Sequence, residues 1–199
     1  LLFGLNALCA WIGWGGILLI NIFDLIPSRT LGDPAFANLV GHSEPGFAGS
    51  IGRVYDSFSY FTNWSNLIVG ITMTLLWRNP LRAGPVFTLL RNSGLLMITM
   101  TCVLYNLLLA PSAQPESWYI VTNLFQHYVT PVVTVLVWAW TGPRGRFVFV
   151  DSFRVFLIPI AYLVYTLARG AAAQVYPYGF FNVVKYGYPS VLTLMGEVI

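Results

Sequence analysis

Two residue types in this sequence have the reach and chemistry to form a nucleophile and its base: Thr62, near the head of one apolar stretch, and His127, inside another. A threonine hydroxyl is a weak nucleophile at neutral pH and needs an adjacent base, for which imidazole, with an ordinary pKa of about 6.5, is well matched. Attack of Thr62 on an ester carbonyl would give an acyl-enzyme that water then hydrolyses. Donors for the resulting oxyanion are also required, each typically worth about 3 kcal/mol of barrier. Asn66, Asn123 and backbone groups near His127 are the candidates.

The residues around each group are polar at helical spacing. Phe58-Ser-Tyr-Phe-Thr-Asn-Trp-Ser-Asn-Leu67 places Thr62, Ser65 and Asn66 at i, i+3 and i+4, on one helix face. In Asn123-Leu-Phe-Gln-His-Tyr-Val-Thr-Pro131, Asn123 and Thr130 share a face with His127. Pro131 clashes with the carbonyl four residues before it, that of His127, so the helix is expected to kink or open at the histidine. An ionisable side chain in a spanning helix is costly and marks a functional site unless it only ties helices together. That tying role is the alternative reading for His127, as interhelical bonding or bonding to their own backbone is for Ser and Thr. Asn106, after Tyr105, faces either the same pocket or a neighbouring helix. Tyr176-Pro177-Tyr178 belongs to a loop that either folds over a lipid site or rests at the membrane interface.

The elements that carry these residues are apolar helices. Six stretches, at roughly 1–26, 58–77, 92–110, 119–141, 153–169 and 187–199, are continuously apolar rather than amphipathic. They predict an all-α, polytopic membrane protein, a single bundle of about six transmembrane helices over residues 1–199. The last stretch is short and still apolar at Ile199, which points to a trimmed chain or a partly present helix. The first run lacks the basic flank of a signal peptide and is expected to remain in the protein. The loops carry helix-breaking punctuation: Pro27, Gly32 and Pro34, then Asn79-Pro80 and Gly84-Pro85, then Gly142-Pro143. The first loop is long and holds Asp33, His42 and Glu44, a length usual for functional or disordered loops.

Composition agrees with lipid as the solvent. Only 9% of the 199 residues are charged and 57% are hydrophobic, where a soluble domain carries about 25% charged residues. The net charge of +3, with scattered arginines, excludes a nucleic-acid surface. Arg78, Arg82 and Arg91 in one loop, and Arg144, Arg146 and Arg154 in another, mark the cytoplasmic side. Both termini then lie inside, and Thr62 and His127 lie toward the outer leaflet, about 6 Å and 13 Å below its boundary by residue count. Lateral access for a lipid is expected from that depth. Trp64, Trp77, Trp118, Trp138 and Trp140 sit near stretch ends, as an interfacial belt would.

Several chemistries lack their residues. Asn92-Ser93-Gly94 falls short of a rhomboid nucleophile motif, because Arg91 stands where its glycine is needed. His127 alone cannot supply paired haem ligands, and His42 and His127 are the only histidines available for zinc. Cys9 and Cys102 lie in apolar runs and are expected to be free thiols. No cofactor or metal is expected. A lipid-binding or transport protein without covalent chemistry remains the alternative, although no internal repeat of the kind transporters show is present.

Tyr60-Phe-Thr-Asn-Trp-Ser-Asn66, Asn123-x-x-Gln-His127 followed by Pro131, and Val175-Tyr-Pro177 occur in an order that resembles a known family. The chain is similar to a bacterial six-pass relative of the androgen-induced protein and the androgen-dependent TFPI-regulating protein. Animal members are transmembrane threonine hydrolases of fatty acid esters of hydroxy fatty acids. The resemblance implies Thr62 as nucleophile and His127 as base, while Asn66, Ser65, Asn123, Asn106 and Tyr176 are substrate or oxyanion candidates by residue type and position. It further implies a lipid or fatty acyl ester substrate and residence in a bacterial inner membrane. This chain departs from the family pattern in having Gln126 beside the histidine, Leu124 in place of a first histidine, and Pro131 one position early.

Overall fold

The computed structural model describes residues 1–26, 43–111, 113–142 and 149–198. Asp33, His42, Pro143, Arg144 and Arg146, which the sequence singles out, lie outside the described residues. Among the described residues the fold is all-helical, without a strand. The main rods are α1 (Leu2–Phe23), α3 (Phe61–Arg78), α4 (Pro85–Leu104), α5 (Trp118–Leu124) running on into α6 (Thr130–Thr141), α8 (Leu157–Ala173) and α9 (Val183–Val198). Two short helices, α2 (Ser50–Ser57) and α7 (Asp151–Arg154), precede α3 and α8.

Among the described residues four rods are long and apolar enough to cross a membrane: Leu2–Phe23, Pro85–Leu109, Trp118–Thr141 and Asp151–Ala173. Two of the expected six stretches do not meet that standard. Helix α3 has 18 residues, but Thr62, Asn63, Ser65 and Asn66 crowd its first two turns. Helix α9 has 16 residues and breaks at Gly187, whose φ of 74° precedes Pro189, a residue with no N–H to continue the ladder.

The distribution of side chains is that of a lipid-facing bundle. Leu5, Leu8, Leu19, Leu107, Leu124, Val132, Leu136, Ile160 and Val164 are exposed, whereas Asn6, Ser65, Asn66, Thr101, Thr130 and Thr134 are buried. A water-soluble domain shows the opposite preference. Trp77, Trp118 and Trp140 are exposed at rod ends as a belt requires, but Trp64 turns inward, donating to the Phe58 carbonyl at 2.6 Å and packing on Tyr162 and Tyr165.

Helix α3 packs most extensively against α1 and α4. Small residues let the rods approach: a Cβ on Gly70 would lie 3.0 Å from Trp11, and one on Gly94 would lie 2.8 Å from Ile68. Trp11 donates to Thr74 at 2.9 Å across the same seam. Ser93, the serine of the Asn-Ser-Gly run, donates to the Val155 carbonyl at 2.9 Å and so ties α4 to the segment entering α8.

Polar staples close the end of the bundle where α1 stops and α3 starts. Arg53 of α2 is 6% exposed. Its guanidinium donates to the carbonyls of Asn21 (2.8 Å), Glu44 (2.6 Å) and Gly46 (2.5 Å), beside Asp24 at 3.8 Å. Arg169 of α8 pairs with Asp56 at 2.5 Å and lies over the Tyr55 ring. The fork meets three separated carbonyls with three different nitrogens, a spread that one ammonium nitrogen does not cover. Arg53→Lys is therefore expected to lower the unfolding temperature in detergent nearly as much as Arg53→Met, by the equivalent of about 2–3 kcal/mol. Wild-type melting of Arg53→Lys would contradict this role.

Candidate functional site

Pro131 opens the helix that carries the histidine. With no N–H at position 131 and the pyrrolidine pressing on the His127 carbonyl, the preceding turn, Phe125–Val129, widens into a π-helical turn. The Thr130 N–H reaches back to the Phe125 carbonyl. Widening frees carbonyls for tertiary use: that of Gln126 accepts from the Asn66 amide at 3.3 Å. Helix α4 ends in a similar π-turn, Tyr105–Leu109, in which the Ala110 N–H bonds to the Tyr105 carbonyl at 2.8 Å. The two widened turns set the rings of Tyr105 and His127 face to face, with centroids 3.8 Å apart and planes 19° from parallel.

Thr62 lies in the first turn of α3, after Tyr60, whose backbone is extended (φ −88°, ψ 128°). Its Oγ1 is 3.3 Å from His127 Nε2. On the other side of the ring, Nδ1 is 3.2 Å from the Asn123 carbonyl oxygen. A carbonyl only accepts, so in the neutral ring Nδ1 carries the proton and Nε2 presents its lone pair to the threonine hydroxyl. This is the order of a hydroxyl nucleophile, a base and a group that orients the base.

The two residues meet although residue counting puts them at different depths. Residues 58–60 form a turn, so α3 starts at Phe61 rather than 58 and the count from the head of the stretch does not measure where Thr62 sits.

The other polar groups of α3 bind the scaffold. Ser65 donates to the Thr62 carbonyl at 2.9 Å and shares a 2.8 Å bond with Thr101 of α4. Asn66 donates to the Thr62 carbonyl at 2.9 Å. Asn63 donates to the Ser57 carbonyl at 2.6 Å and accepts from Gln126 at 2.9 Å.

Two sequence candidates stand apart from the Thr62–His127 pair. Asn106 is exposed and donates to the Cys102 carbonyl at 2.8 Å, because Tyr105 faces inward and its neighbour must then point out. Tyr176 is 2% exposed in a cluster with Val183, Val191 and Met195, its ring seated on Gly170, where a Cβ would come within 2.0 Å. Tyr178, two residues on, is the ring that reaches α3. Its hydroxyl accepts from the Phe61 N–H at 3.0 Å, one residue before Thr62. Tyr105 and Tyr178 are therefore site residues that sequence reasoning missed, and an aromatic pair flanking Pro177 was the only signal for the second.

Thr62 opens onto a cavity of about 100 Å³ between α3, α4, α8, α9 and the Tyr178–Phe181 segment. Apart from a few hydroxyls its wall is apolar, built from residues such as Leu104, Leu108, Leu163, Phe180 and Met195. His127 is not part of the lining, so it addresses Thr62 from outside the cavity. Among the described residues no three His, Cys, Asp or Glu side chains converge to hold a metal ion. No protein-family model, curated protein or solved structure matches the chain.

Gln126 joins α3 to the widened turn while His127 supplies the chemistry. Gln126→Leu keeps the volume but strands the buried Asn63 oxygen, an expected loss of about 1–3 kcal/mol that thermal unfolding would register. A Gln126→Leu protein as stable as wild type would remove that link.

Proposed function

We propose that the chain is an intramembrane lipid-ester hydrolase in which Thr62 is the nucleophile and His127 the general base. The observation that carries this reading is the 3.3 Å approach of Thr62 Oγ1 to a His127 nitrogen that must act as acceptor, at the wall of an apolar cavity. Contacts of this kind are commonly loose in unliganded sites. The resemblance to transmembrane threonine hydrolases supports the same assignment and points to fatty acid esters of hydroxy fatty acids, or similar acyl esters, as substrates.

In the proposed reaction the acyl chain occupies the cavity and its ester carbonyl approaches Thr62. The Oγ1 lone pair forms the bond to the carbonyl carbon while the hydroxyl proton passes to His127 Nε2. Collapse of the tetrahedral intermediate breaks the bond to the leaving alkoxide, which takes that proton and departs as an alcohol. Water then attacks the acyl-threonine with His127 again as base, releasing the fatty acid and restoring Thr62. The Asn123 carbonyl holds the ring and favours its cationic form during each transfer.

The membrane arrangement belongs to the same reading. All six apolar rods, including α3 and the broken α9, cross the bilayer, with Arg78, Arg82 and Arg91 on the cytoplasmic side and both termini there. The site then faces the outer leaflet of a bacterial inner membrane, and a lipid reaches it laterally.

Turnover of a lipid-ester panel by the purified protein is expected to fall about 10²–10⁴-fold in His127→Ala and to vanish in Thr62→Ala. Unchanged turnover in Thr62→Ala ends the assignment. Acyl-chain binding without turnover in wild type would instead favour a lipid-binding protein built around the same cavity.

A further inference from the structure

An ester carbonyl attacked by Thr62 develops a negative charge that needs a donor inside the cavity. The amides on which sequence reasoning relied stand away from the cavity. Asn66 Nδ2 is held by the carbonyls of Thr62 and Gln126, and neither Asn66 nor Asn123 lines the cavity. Of the hydroxyls in the wall, Tyr162 gives its proton to the Ser59 carbonyl at 2.8 Å, and Thr101 shares its bond with Ser65. Tyr105 stacks on the imidazole. Tyr178 lines the same cavity as Thr62 and holds the N–H of the residue before it.

We propose that Tyr178 donates the hydrogen bond that stabilises the oxyanion formed when Thr62 attacks an ester carbonyl, an assignment that rests on the hydrolase reading. In the resting site the phenol oxygen accepts the Phe61 N–H at 3.0 Å, which leaves its own proton for the cavity that Thr62 also lines. Accepting a bond from a helix N-terminus polarises the phenol and makes its O–H a better donor. When Thr62 attacks, the new oxyanion becomes the strongest acceptor in that cavity and takes the hydrogen bond of the phenolic O–H. Tyr178 shares this proton without transferring it: burial pushes the phenol up to about 12, so the group stays neutral.

The ring is fixed for that purpose on three sides. Tyr60 meets it edge-on at 5.6 Å, Phe180 stacks on it at 5.2 Å, and Phe181 closes the third side at 5.5 Å. Phe180 and Phe181 also line the cavity, so one short segment supplies both the acyl-chain wall and the charge donor.

Tyr178→Phe tests the assignment because it keeps the ring and removes the hydroxyl. The expected result is a fall of about 10²–10³-fold in kcat, with KM and binding of a fluorescent fatty acid within a few-fold of wild type and only the small drop in unfolding temperature that an unpaired Phe61 N–H brings. Wild-type kcat in Tyr178→Phe, with Thr62→Ala inactive, overturns the role of Tyr178 and leaves the hydrolase standing. Loss of kcat matched by an equal fold-loss of fatty-acid binding, or by an unfolded protein at the assay temperature, reduces Tyr178 to a brace for α3 and also overturns it. Turnover that survives Thr62→Ala removes both proposals.

Discussion

Asn63, Ser65 and Asn66 in the first two turns of α3 are buried and must find partners within the protein, and the packing of the bundle follows from that constraint. The Thr62 carbonyl takes Ser65 and Asn66, Asn63 takes Gln126 and the Ser57 carbonyl, and Ser65 takes Thr101. Asn66 takes a carbonyl that only a widened turn can release. Interhelical bonds of this type average about 0.6 kcal/mol in a membrane protein. Their effect is thus on register more than on stability: they fix which residue of the fourth apolar stretch stands opposite Thr62, and that residue is His127.

Pro131 connects this constraint to the sequence most directly. A proline four residues after His127 forecasts an opened helix at the histidine, and a π-turn over Phe125–Val129 is the form the opening takes. The helical spacing of Thr62, Ser65 and Asn66 was equally legible, and so were the apolar stretches that became rods. The start of α3 was not legible, since Phe58, Ser59 and Tyr60 are as compatible with a helix as with the turn that forms when α2 packs above them. The π-turn at Tyr105–Leu109 carries the same signal, since Pro111 stands two residues past its end as Pro131 does past Phe125–Val129; what the sequence did not show is that Tyr105 meets the imidazole ring.

Loops expose a different limit. Residues 174–182 have no periodicity to say which tyrosine faces inward, and both rings of Tyr176-Pro177-Tyr178 are apolar enough for either fate. Gly170 decides between them by leaving a notch that Tyr176 fills, which places Tyr178 over the head of α3. Asn106 shows the same dependence on a neighbour. Once Tyr105 is drawn inward by stacking, the carboxamide beside it turns outward and bonds its own helix.

The central claim is that His127 activates the Thr62 oxygen for covalent chemistry, and its most direct test is to map where an electrophile attaches. Purified protein treated with a lipid-like fluorophosphonate should gain one adduct, located by peptide mass spectrometry on Thr62 and lost in His127→Ala. An adduct on another residue, or labelling of Thr62 that is unaffected by removing the imidazole, would contradict it.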